Sequence, residues 1–338
     1  MSDVLIVGAG LGALALAGDL RAAGADVRVL DKSRGGAGRA ATRRVRLEGG
    51  REARLDHGAR FFTARGARLR ALAQAGEAAG WLRTWASGFP TWEAGEVRPA
   101  GGGEHPRYAP VDGLSALGRH LALQVDGGLD VAYGVTATRL ERAGAGWRVH
   151  DAGGGTHAAR RLVLNLPAAQ ASVLLGEHAP ELRAALAGVA YDPCWAVGAV
   201  LDRDLAADWP ALRFKGHPAL DWVAREHTKR PPGHPPALML HAHAEWSRAH
   251  LEDRPEDVQA ALLAAAAEVV GDIAPLHTFA HRWRYAQPAR RAAGAHFWDA
   301  ELNLGACGDG FTPDDHGTRV EAALLSGWSL AAVLGAGA

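Results

Sequence analysis

VLIVGAGLGA at residues 4–13 is a short apolar run that ends in a glycine-rich turn. An Ala/Leu-rich stretch of helical character follows to about Ala23, and a second apolar run from Val27 to Leu30 ends in Asp31. Strand, glycine turn, helix, strand and acid occur in this order in dinucleotide-binding βαβ units. The sequence therefore predicts a dinucleotide site at its beginning.

Each residue of this turn has a physical task. Gly8 permits a tight turn out of the strand, Gly10 lets the backbone approach a pyrophosphate, and Ala13 lets the helix pack closely on the strand. Asp31, 23 residues after Gly8, is suited to accept a hydrogen bond from a ribose hydroxyl. We assign these four residues and Gly12 to the cofactor.

A second Gly/Arg-rich loop, KSRGGAGRAATRR, follows directly at residues 32–44. Glycine allows close backbone approach, and arginine supplies paired donors for phosphate. In an isolated segment such a loop would more simply be a flexible, solvated basic turn. In this position it resembles the second flavin motif of FAD oxidoreductases of the amine-oxidase superfamily. That resemblance adds Lys32, Arg34, Gly38 and Arg39 to the expected cofactor contacts.

A third segment, LNLGACGDGF at residues 302–311, reads as a strand entering a glycine turn, with a helix following to about Leu334. Asp309 could serve only as a helix cap. Alternatively, this is the FAD motif that presents an aspartate to the ribityl hydroxyls, with the helix N-terminus directed at the flavin pyrimidine. A nucleotide-binding segment so late in the chain favours FAD over an NAD-only domain. We assign Gly308, Asp309 and Val320 to the cofactor.

Further runs, in order along nearly the whole chain, resemble the renalase family, most closely its bacterial members. They lie at residues 56–65 (DHGARFFTAR), 113–117 (GLSAL), 166–171 (LPAAQA), 222–225 (WVAR), 240–242 (LHA), 281–286 (HRWRYA) and 307–311 (CGDGF).

The resemblance implies an α/β fold of p-hydroxybenzoate hydroxylase-like architecture. A Rossmann-type FAD-binding lobe would be assembled from residues 1–70, 106–170 and 295–338. A mixed α+β substrate lobe would comprise residues 71–105 and 171–294. Local patterns predict a helix over residues 67–86, a small meander of strands between residues 131 and 150, and between them a loop-like stretch from 88 to 110 that is rich in Gly and Pro, with Phe89 and Trp92 as possible strand residues.

The resemblance also implies an activity. It is oxidation of the 2- or 6-dihydro isomers of NAD(P)H to NAD(P)+, with O2 reduced to hydrogen peroxide and FAD bound non-covalently beside Cys307. The implied contacts with the flavin are His57, Gly58, Ala59 and Val135. The implied substrate or catalytic residues are Arg225, His241, Trp283 and Tyr285. We expect about half of the aromatic residues Trp222, Trp246, Trp283 and Tyr285 to be ordinary core.

Two departures from the family pattern bear on these expectations. Gly36-Ala37 stands where the family has Pro-Gly, a small-for-small change that we expect to be harmless. Residues 226–229 read EHTK, where the family pattern is Asn-Ser-Ser-Lys. Because the second departure touches the presumed substrate side, it leaves the details of substrate binding open.

Several alternatives remain open from the sequence. An FAD-dependent amine oxidase would use the same scaffold, often with a lysine near flavin N5, and only Lys215 and Lys229 could serve if Lys32 lies on the adenine side. A non-catalytic flavin-binding protein and an NAD-only dehydrogenase are the others. Asp56 and His57 could form an acid–base pair. His241 and His243 lack a third ligand at matching spacing, so we expect no metal.

Composition sets broad limits. The 338 residues are 48% hydrophobic with a formal charge of zero, so the chain can bury a large core and nothing points to nucleic acid. It has two distant cysteines, enters a strand at once, and lacks an apolar run long enough for a membrane span. We expect no signal peptide, no membrane partner and a cytoplasmic location.

Overall fold

The computed structural model describes residues 1–103, 105–123, 127–311 and 320–335. Its strands are β1 (Ser2–Val7), β2 (Val27–Asp31), β3 (Thr42–Arg46), β4 (Glu52–Asp56), β5 (Leu82–Ala86), β6 (Thr91–Glu93), β7 (Glu96–Arg98), β8 (Arg107–Pro110), β9 (Asp130–Tyr133), β10 (Ala137–Ala143), β11 (Gly146–Asp151), β12 (Thr156–Leu164), β13 (Ala190–Leu201), β14 (Ala211–Lys215), β15 (Leu220–Arg225), β16 (Ala237–Ala242), β17 (Pro275–Arg290), β18 (Phe297–Asp299) and β19 (Leu304–Ala306). Its helices are α1 (Leu11–Ala22), α2 (Ala67–Ala78), α3 (Ser115–Leu123), α4 (Ala168–Leu175), α5 (Pro180–Ala187), α6 (Ala244–Ala249), α7 (Pro255–Val270) and α8 (Val320–Gly335).

The chain divides into two compact units, each built from separated segments. The first unit comprises residues 1–39, 117–191 and 288–338, and the second comprises residues 40–116 and 192–287. The second unit thus includes residues 40–70, which the sequence analysis placed with the FAD-binding lobe. The tasks assigned to the two lobes remain predictions.

The first unit is organised around a sheet with the order β10-β11-β12-β1-β2-β9, to which β19 and β18 add beside β12. Strand β1 runs parallel to β2 and to β12, while β9 pairs in parallel with β2 and β19 with β12. The run Val4–Val7 is buried, as expected for a central parallel strand. Parallel pairing brings the carboxyl ends of β1, β2, β12 and β19 to one edge of this sheet.

This arrangement corrects the expected meander. Strands β10, β11 and β12 do pair antiparallel in succession. Strand β9, predicted as the meander's first member, instead lies parallel to β2 on the far side of β1. A short apolar run predicts a strand, but it does not specify which partner the strand takes.

The second unit contains a seven-stranded sheet with the order β17-β13-β16-β15-β14-β6-β7 and the two-stranded pairs β3-β4 and β5-β8. Strand β16 is buried along its whole length. One face of this sheet packs with α7, which contributes Val258, Leu262 and Ala266 to the core. The opposite face, including Ala196 and Met239, packs with the β3-β4 pair.

One prediction of local structure was wrong, and another was right only in part. Helix α2 ends at Ala78, and Gly80 with φ of +73° starts a turn into β5 rather than a continuation of the helix. In the stretch from 88 to 110, Trp92 lies in β6 as the sequence suggested, but Phe89 does not lie in a strand, and β7 and β8 were not expected. These strands are stabilised by pairing with distant segments, such as β6 with β14, and local composition carries no signal for such partners.

The α/β class and the mixed sheets agree with the sequence analysis. None of the described helices is both long and apolar enough to cross a membrane.

Candidate functional site

The carboxyl edge of the first unit's sheet collects the predicted cofactor residues. Val7 is in register with Leu30 on one side and with Leu164 on the other, and Leu164 is in register with Ala306. The residues that follow Val7, Leu30, Leu164 and Ala306 in the sequence are Gly8, Asp31, Asn165 and Cys307. Ligands of open parallel sheets bind at this edge, so its geometry defines the candidate cofactor site.

Glycine is required in this turn because Asn165, directly after β12, approaches its backbone closely. Gly8 has φ of +99°, and a Cβ atom there would collide with the backbone oxygen of Asn165. A Cβ atom on Gly10 would collide with the Asn165 side-chain oxygen. Gly12 has a different task, since its Cβ would lie 2.7 Å from the Ala323 oxygen on α8. Gly8 and Gly10 shape the turn, while Gly12 lets α1 and α8 pack closely.

The N-terminus of α1 fits a pyrophosphate. Its N-cap is Gly10, which offers no side-chain acceptor, and the first turn of the helix carries no acidic residue. The first intrahelical bond is donated by Leu14 to the Gly10 oxygen. The preceding amide groups, together with the positive end of the helix dipole, favour a bound anion.

Asp31 lies against the glycine turn. The backbone N–H of Ala9 donates to its Oδ2 at 2.6 Å, and that of Ser33 donates to its Oδ1 at 2.7 Å. Each carboxylate oxygen has a second lone pair for a ribose hydroxyl. The predicted contact Val135 lies beside this residue, donating its N–H to the Asp31 carbonyl at 2.9 Å.

The arginine-rich loop returns onto the same turn. Ala37 donates its N–H to the Ala9 oxygen at 2.8 Å, and the Cβ of a residue at Gly38 would lie 3.4 Å from Gly10 Cα. Ala37 itself has φ of +81°, in the left-handed region that favours glycine. Alanine at this position carries some backbone strain that glycine would not have, and the expectation that it is harmless stays a prediction.

Arg39 and Asp309 join the two ends of the sequence. The Arg39 guanidinium contacts Asp309 Oδ1 at 2.6 Å, with 28% and 18% of the two side chains exposed. Arg39 also lies over the Tyr191 ring at 5.7 Å. Arg39 and Asp309 lie 270 positions apart in the sequence and were both predicted to bind FAD; the fold brings them into contact.

Asn165 is a residue of this site that the sequence analysis missed. Its side-chain nitrogen donates to the Cys307 carbonyl at 2.9 Å, while its oxygen atoms face Gly8 and Gly10. It therefore links the first glycine turn to the last one. The available signal was a polar residue directly after the apolar run 162–164, at the end of a parallel strand.

Cys307 is unsuited to covalent attachment of a flavin. It is 2% exposed, and burial raises the pKa of its thiol to about 12. Since the thiolate is the reactive form, the protonated thiol is inert. The following residue, Gly308, has φ of +130° and donates its N–H to Ser326 on α8 at 2.9 Å.

The remaining predicted cofactor residues differ in their surroundings. Lys32 and Arg34 are exposed. Val320 is the half-buried first residue of α8. His57, Gly58 and Ala59 belong to the second unit.

His57, His281 and Trp283 form an aromatic group in the second unit, here called the His57 cluster. The rings of His57 and Trp283 are stacked at 21° with centroids 5.4 Å apart, and His281 lies 4.8 Å from His57 and 4.2 Å from Trp283. Trp283 donates its indole N–H to the His57 carbonyl at 2.7 Å. Tyr285 follows two residues later on β17, on the same face as Trp283.

The histidines of this region are uncharged at neutral pH. Burial, together with His281, lowers the pKa of His57 to about 4. Burial and Arg43 also lower the pKa of His281. His241 is 2% exposed, burial lowers its pKa well below the usual range, and its Nε2 lies 3.3 Å from the His57 carbonyl. The cluster therefore presents neutral aromatic surface.

Asp56 does not form an acid–base pair with His57. Its carboxylate accepts hydrogen bonds from the Thr42 hydroxyl at 2.7 Å and from Arg230 at 2.7 Å, with Lys229 at 3.3 Å. Burial raises its pKa, but Arg230 and Lys229 outweigh that effect and hold the pKa at about 2. Asp56 is thus a permanently ionised structural group.

Glu226, which stands where the family pattern has Asn, completes this buried network together with Lys229. Lys229 contacts Glu226 at 2.6 Å, and the backbone N–H of Asp56 donates to Glu226 at 2.9 Å. The side chains of Glu226, Lys229 and Arg230 are all inaccessible to solvent. Two acids and two bases therefore form a closed ionic group in the second unit.

Both lysines that an amine oxidase could use are paired with acidic residues. Lys229 is fully buried in the ionic network and lies 4.8 Å over the Trp85 ring. Lys215 is 71% exposed and pairs with Glu93 at 2.6 Å. Lys32, the remaining lysine of the sequence, is exposed in the first unit.

The structure does not bring Arg225 to the His57 cluster. Its guanidinium pairs with Asp204 and donates to the carbonyls of Ala207 at 2.7 Å and Trp209 at 3.1 Å. Trp222 is 1% exposed and packs among aromatic residues. Trp246 stacks on a neighbouring histidine within its own helix turn. Of the four aromatic residues, Trp222 is buried core, while Trp246 and Trp283 are partly buried against core clusters; which of them face the flavin stays a prediction.

Comparison with known proteins agrees with the geometry of the first unit. A family model described as an NAD(P)-binding Rossmann-like domain matches residues 6–75, and one described as a flavin-containing amine oxidoreductase matches residues 78–334. The structure resembles putrescine oxidase bound to putrescine, at 15% identity, with a TM-score of 0.71 and 99% of each chain covered. It also resembles cyclohexylamine oxidase from Brevibacterium oxydans IH-35A, at 13% identity, with a TM-score of 0.73 and 99% of each chain covered.

At these identities the solved structures support the fold alone. The second family model, however, spans most of the chain. The predictions of an α/β fold with a Rossmann-like unit, of an enzyme and of FAD are confirmed. The chain belongs to the flavin-containing amine oxidoreductase family and is an FAD-dependent oxidoreductase whose cofactor is held without a covalent bond.

Proposed function

We propose that this protein is a renalase-like oxidase that converts the 2- or 6-dihydro isomers of NAD(P)H to NAD(P)+. FAD, when bound, supplies the hydride acceptor that O2 then reoxidises, with release of hydrogen peroxide. The first unit holds the cofactor through Gly8, Gly10, Asp31 and the pair Arg39–Asp309. The second unit binds the dihydronicotinamide.

The observation that carries the proposal is the His57 cluster. Reduced nicotinamide is a neutral planar ring, and such rings stack well on aromatic side chains. His57, His281 and Trp283 supply that surface, and the low pKa of His57 keeps it uncharged at physiological pH. Hydride transfer to a flavin depends on orientation rather than on an acid–base group, so a neutral binding surface suffices.

An amine oxidase is the second candidate, and the description of the matched family favours it. An amine arrives mainly as an ammonium ion. The charged group of the described chain that contacts the aromatic residues next to His57 is Arg43, whose guanidinium lies 4.5 Å from the Phe279 ring. That positive charge disfavours an ammonium ion beside Phe279, whereas the Asp56 carboxylate has the opposite effect at His57. Lys215 and Lys229 are both paired with acidic residues, so the aromatic surface of the cluster, rather than the net charge around it, is what favours the neutral dihydronicotinamide in our proposal.

Anaerobic mixing of the purified yellow protein with single reductants tests the proposal. We expect 6-dihydro-NAD or 2-dihydro-NAD to bleach the flavin absorbance, and putrescine, cyclohexylamine and benzylamine to leave it unchanged. Bleaching by an amine but by neither dihydro isomer would refute the proposal and support the amine oxidase. Aerobic turnover should give one hydrogen peroxide for each NAD+ formed.

The location proposed for the enzyme is the cytoplasm. Cys194 and Cys307 are both free thiols, and burial raises the pKa of each to about 12. A chain without a disulfide in its described part is suited to a reducing compartment.

A further inference from the structure

The β3-β4 pair presents arginines on two different faces. Arg43 is in register with Leu55, and Val45 with Ala53, so these four side chains share one face. Arg44 lies on the other face, opposite Arg54. Val45, Ala53 and Leu55 are buried in a core cluster that includes Phe279, and Arg43 is the exposed cation at the end of that apolar face.

Arg43 is held close to the His57 cluster. Its guanidinium carbon lies 4.5 Å from the Phe279 ring centroid, and that ring lies 6.2 Å from the His57 ring, edge-on at 87°. The two distances place the guanidinium within about 11 Å of the His57 ring. A guanidinium carbon at this distance from an aromatic ring is in the range of a cation–π contact, and the guanidinium has five N–H donors for other partners.

No carboxylate neutralises Arg43 within the part of the chain that the structure describes. Its neighbour Arg44 lies 4.0 Å from Glu52, and Arg39 binds Asp309 at 2.6 Å. The groups that face Arg43 are instead Phe279 and the neutral imidazoles of His57 and His281. An exposed guanidinium beside neutral rings, without a carboxylate partner among the described residues, is suited to bind an anion.

We propose, on the basis of the proposed function, that Arg43 binds a phosphate oxygen of the dinucleotide while the His57 cluster contacts its dihydronicotinamide ring. A dinucleotide joins a neutral planar ring to a pyrophosphate through one ribose, and the second unit offers the matching neutral surface and cation side by side. A guanidinium binds phosphate through paired charge-assisted hydrogen bonds. Arg43 is then a residue that selects dinucleotides over phosphate-free dihydronicotinamides.

The test compares Arg43→Gln with the wild-type holoenzyme on two reductants. One is 6-dihydro-NAD, and the other is 1-methyl-6-dihydronicotinamide, which has the same ring but no phosphate. We expect the variant to raise the apparent Kd for 6-dihydro-NAD, obtained from anaerobic flavin reduction rates, about ten-fold. The apparent Kd for the methyl compound and the limiting reduction rates should stay unchanged.

Arg44→Gln is the matched control, because it removes the same charge from the next residue on the opposite face. We expect it to change neither Kd by more than about two-fold. The Kd of the wild type for 6-dihydro-NAD should also rise with salt, and that dependence should weaken in Arg43→Gln.

The outcomes separate this inference from the function on which it rests. The role of Arg43 would be overturned if Arg43→Gln raised the apparent Kd equally for both reductants or did not raise it for 6-dihydro-NAD. It would also be overturned if Arg44→Gln had the same effect as Arg43→Gln. Release of FAD from Arg43→Gln would also overturn it, since the phosphate would then belong to the cofactor. Absence of flavin bleaching of the wild type by any dihydronicotinamide would instead refute the proposed function.

Discussion

Replacing Lys229 with methionine should destabilise the second unit strongly. Lys229 is fully buried and is shared by two carboxylates, with Glu226 at 2.6 Å and Asp56 at 3.3 Å. Arg230, also buried, contacts the same two carboxylates at 3.2 Å and 2.7 Å. Despite burial, Arg230 and Lys229 hold the pKa of Asp56 low at about 2, whereas burial raises the pKa of Glu226 in spite of the same two cations. Lys229→Met leaves two buried carboxylates and one cation.

The magnitude follows from the burial of all four groups. Removing one member of a buried ionic group leaves an unpaired charge and costs about 3–5 kcal/mol. For a unit of this size, that corresponds to a fall in Tm of about 10 °C. Methionine preserves most of the side-chain volume, so a cavity contributes little. The loss comes from the uncompensated carboxylate.

The assay is thermal unfolding by circular dichroism at pH 7.5 with excess FAD, supported by urea titration. Lys215→Met is the control, because that lysine is 71% exposed and its single pair with Glu93 should contribute less than about 1 kcal/mol. The double variant Glu226→Gln, Lys229→Met restores neutrality and should recover part of the loss. A loss below 1 kcal/mol for Lys229→Met, or a purely additive double variant, would refute this account of the network.

Three further changes test other parts of the structure. Ala37→Val should lower the free energy of unfolding by about 2 kcal/mol, because a β-branched residue is strained at positive φ, whereas Ala37→Gly should change it by less than 1 kcal/mol; urea titration distinguishes these outcomes. Asp309→Ala should weaken FAD binding about ten-fold, since it removes the partner of Arg39; flavin fluorescence on dilution measures it, and unchanged affinity would contradict the assignment. Because the folded-state pKa of His57 is about 4, below its ordinary value of 6.5, its contribution to stability is complete above pH 6.5 and is lost as pH falls toward 4. The wild type should therefore lose on the order of 2 kcal/mol more than His57→Asn over that range, and parallel pH profiles of the two proteins would contradict this.

Much of the cofactor site was predictable because its signals are local. A glycine turn, the acid at the end of the next strand and a late glycine turn with Asp309 each require particular residues at particular short spacings. Gly8 needs a positive φ, and Gly10 needs the absence of a Cβ, so the sequence records both requirements directly. The α/β class and the FAD assignment followed from these three segments.

Other features needed the tertiary structure because they depend on which distant segments pair. Nothing near Asn165 indicates that it joins two glycine turns, since that depends on β12 lying between β1 and β19. The partner of β9 and the strands between residues 82 and 110 were likewise set by non-local pairing.

The sequence by itself determined the class of fold and the cofactor, since glycine conformation and strand-end chemistry are read from neighbouring residues. Only the tertiary structure decided the roles of the charged and aromatic residues. Lys229 pairs with Glu226 and Asp56 in a buried ionic group. Arg225 pairs with Asp204, and His57 stacks on Trp283 in a neutral aromatic cluster. The charge state and availability of a side chain depend on burial and on partners from distant segments, and no local pattern encodes them.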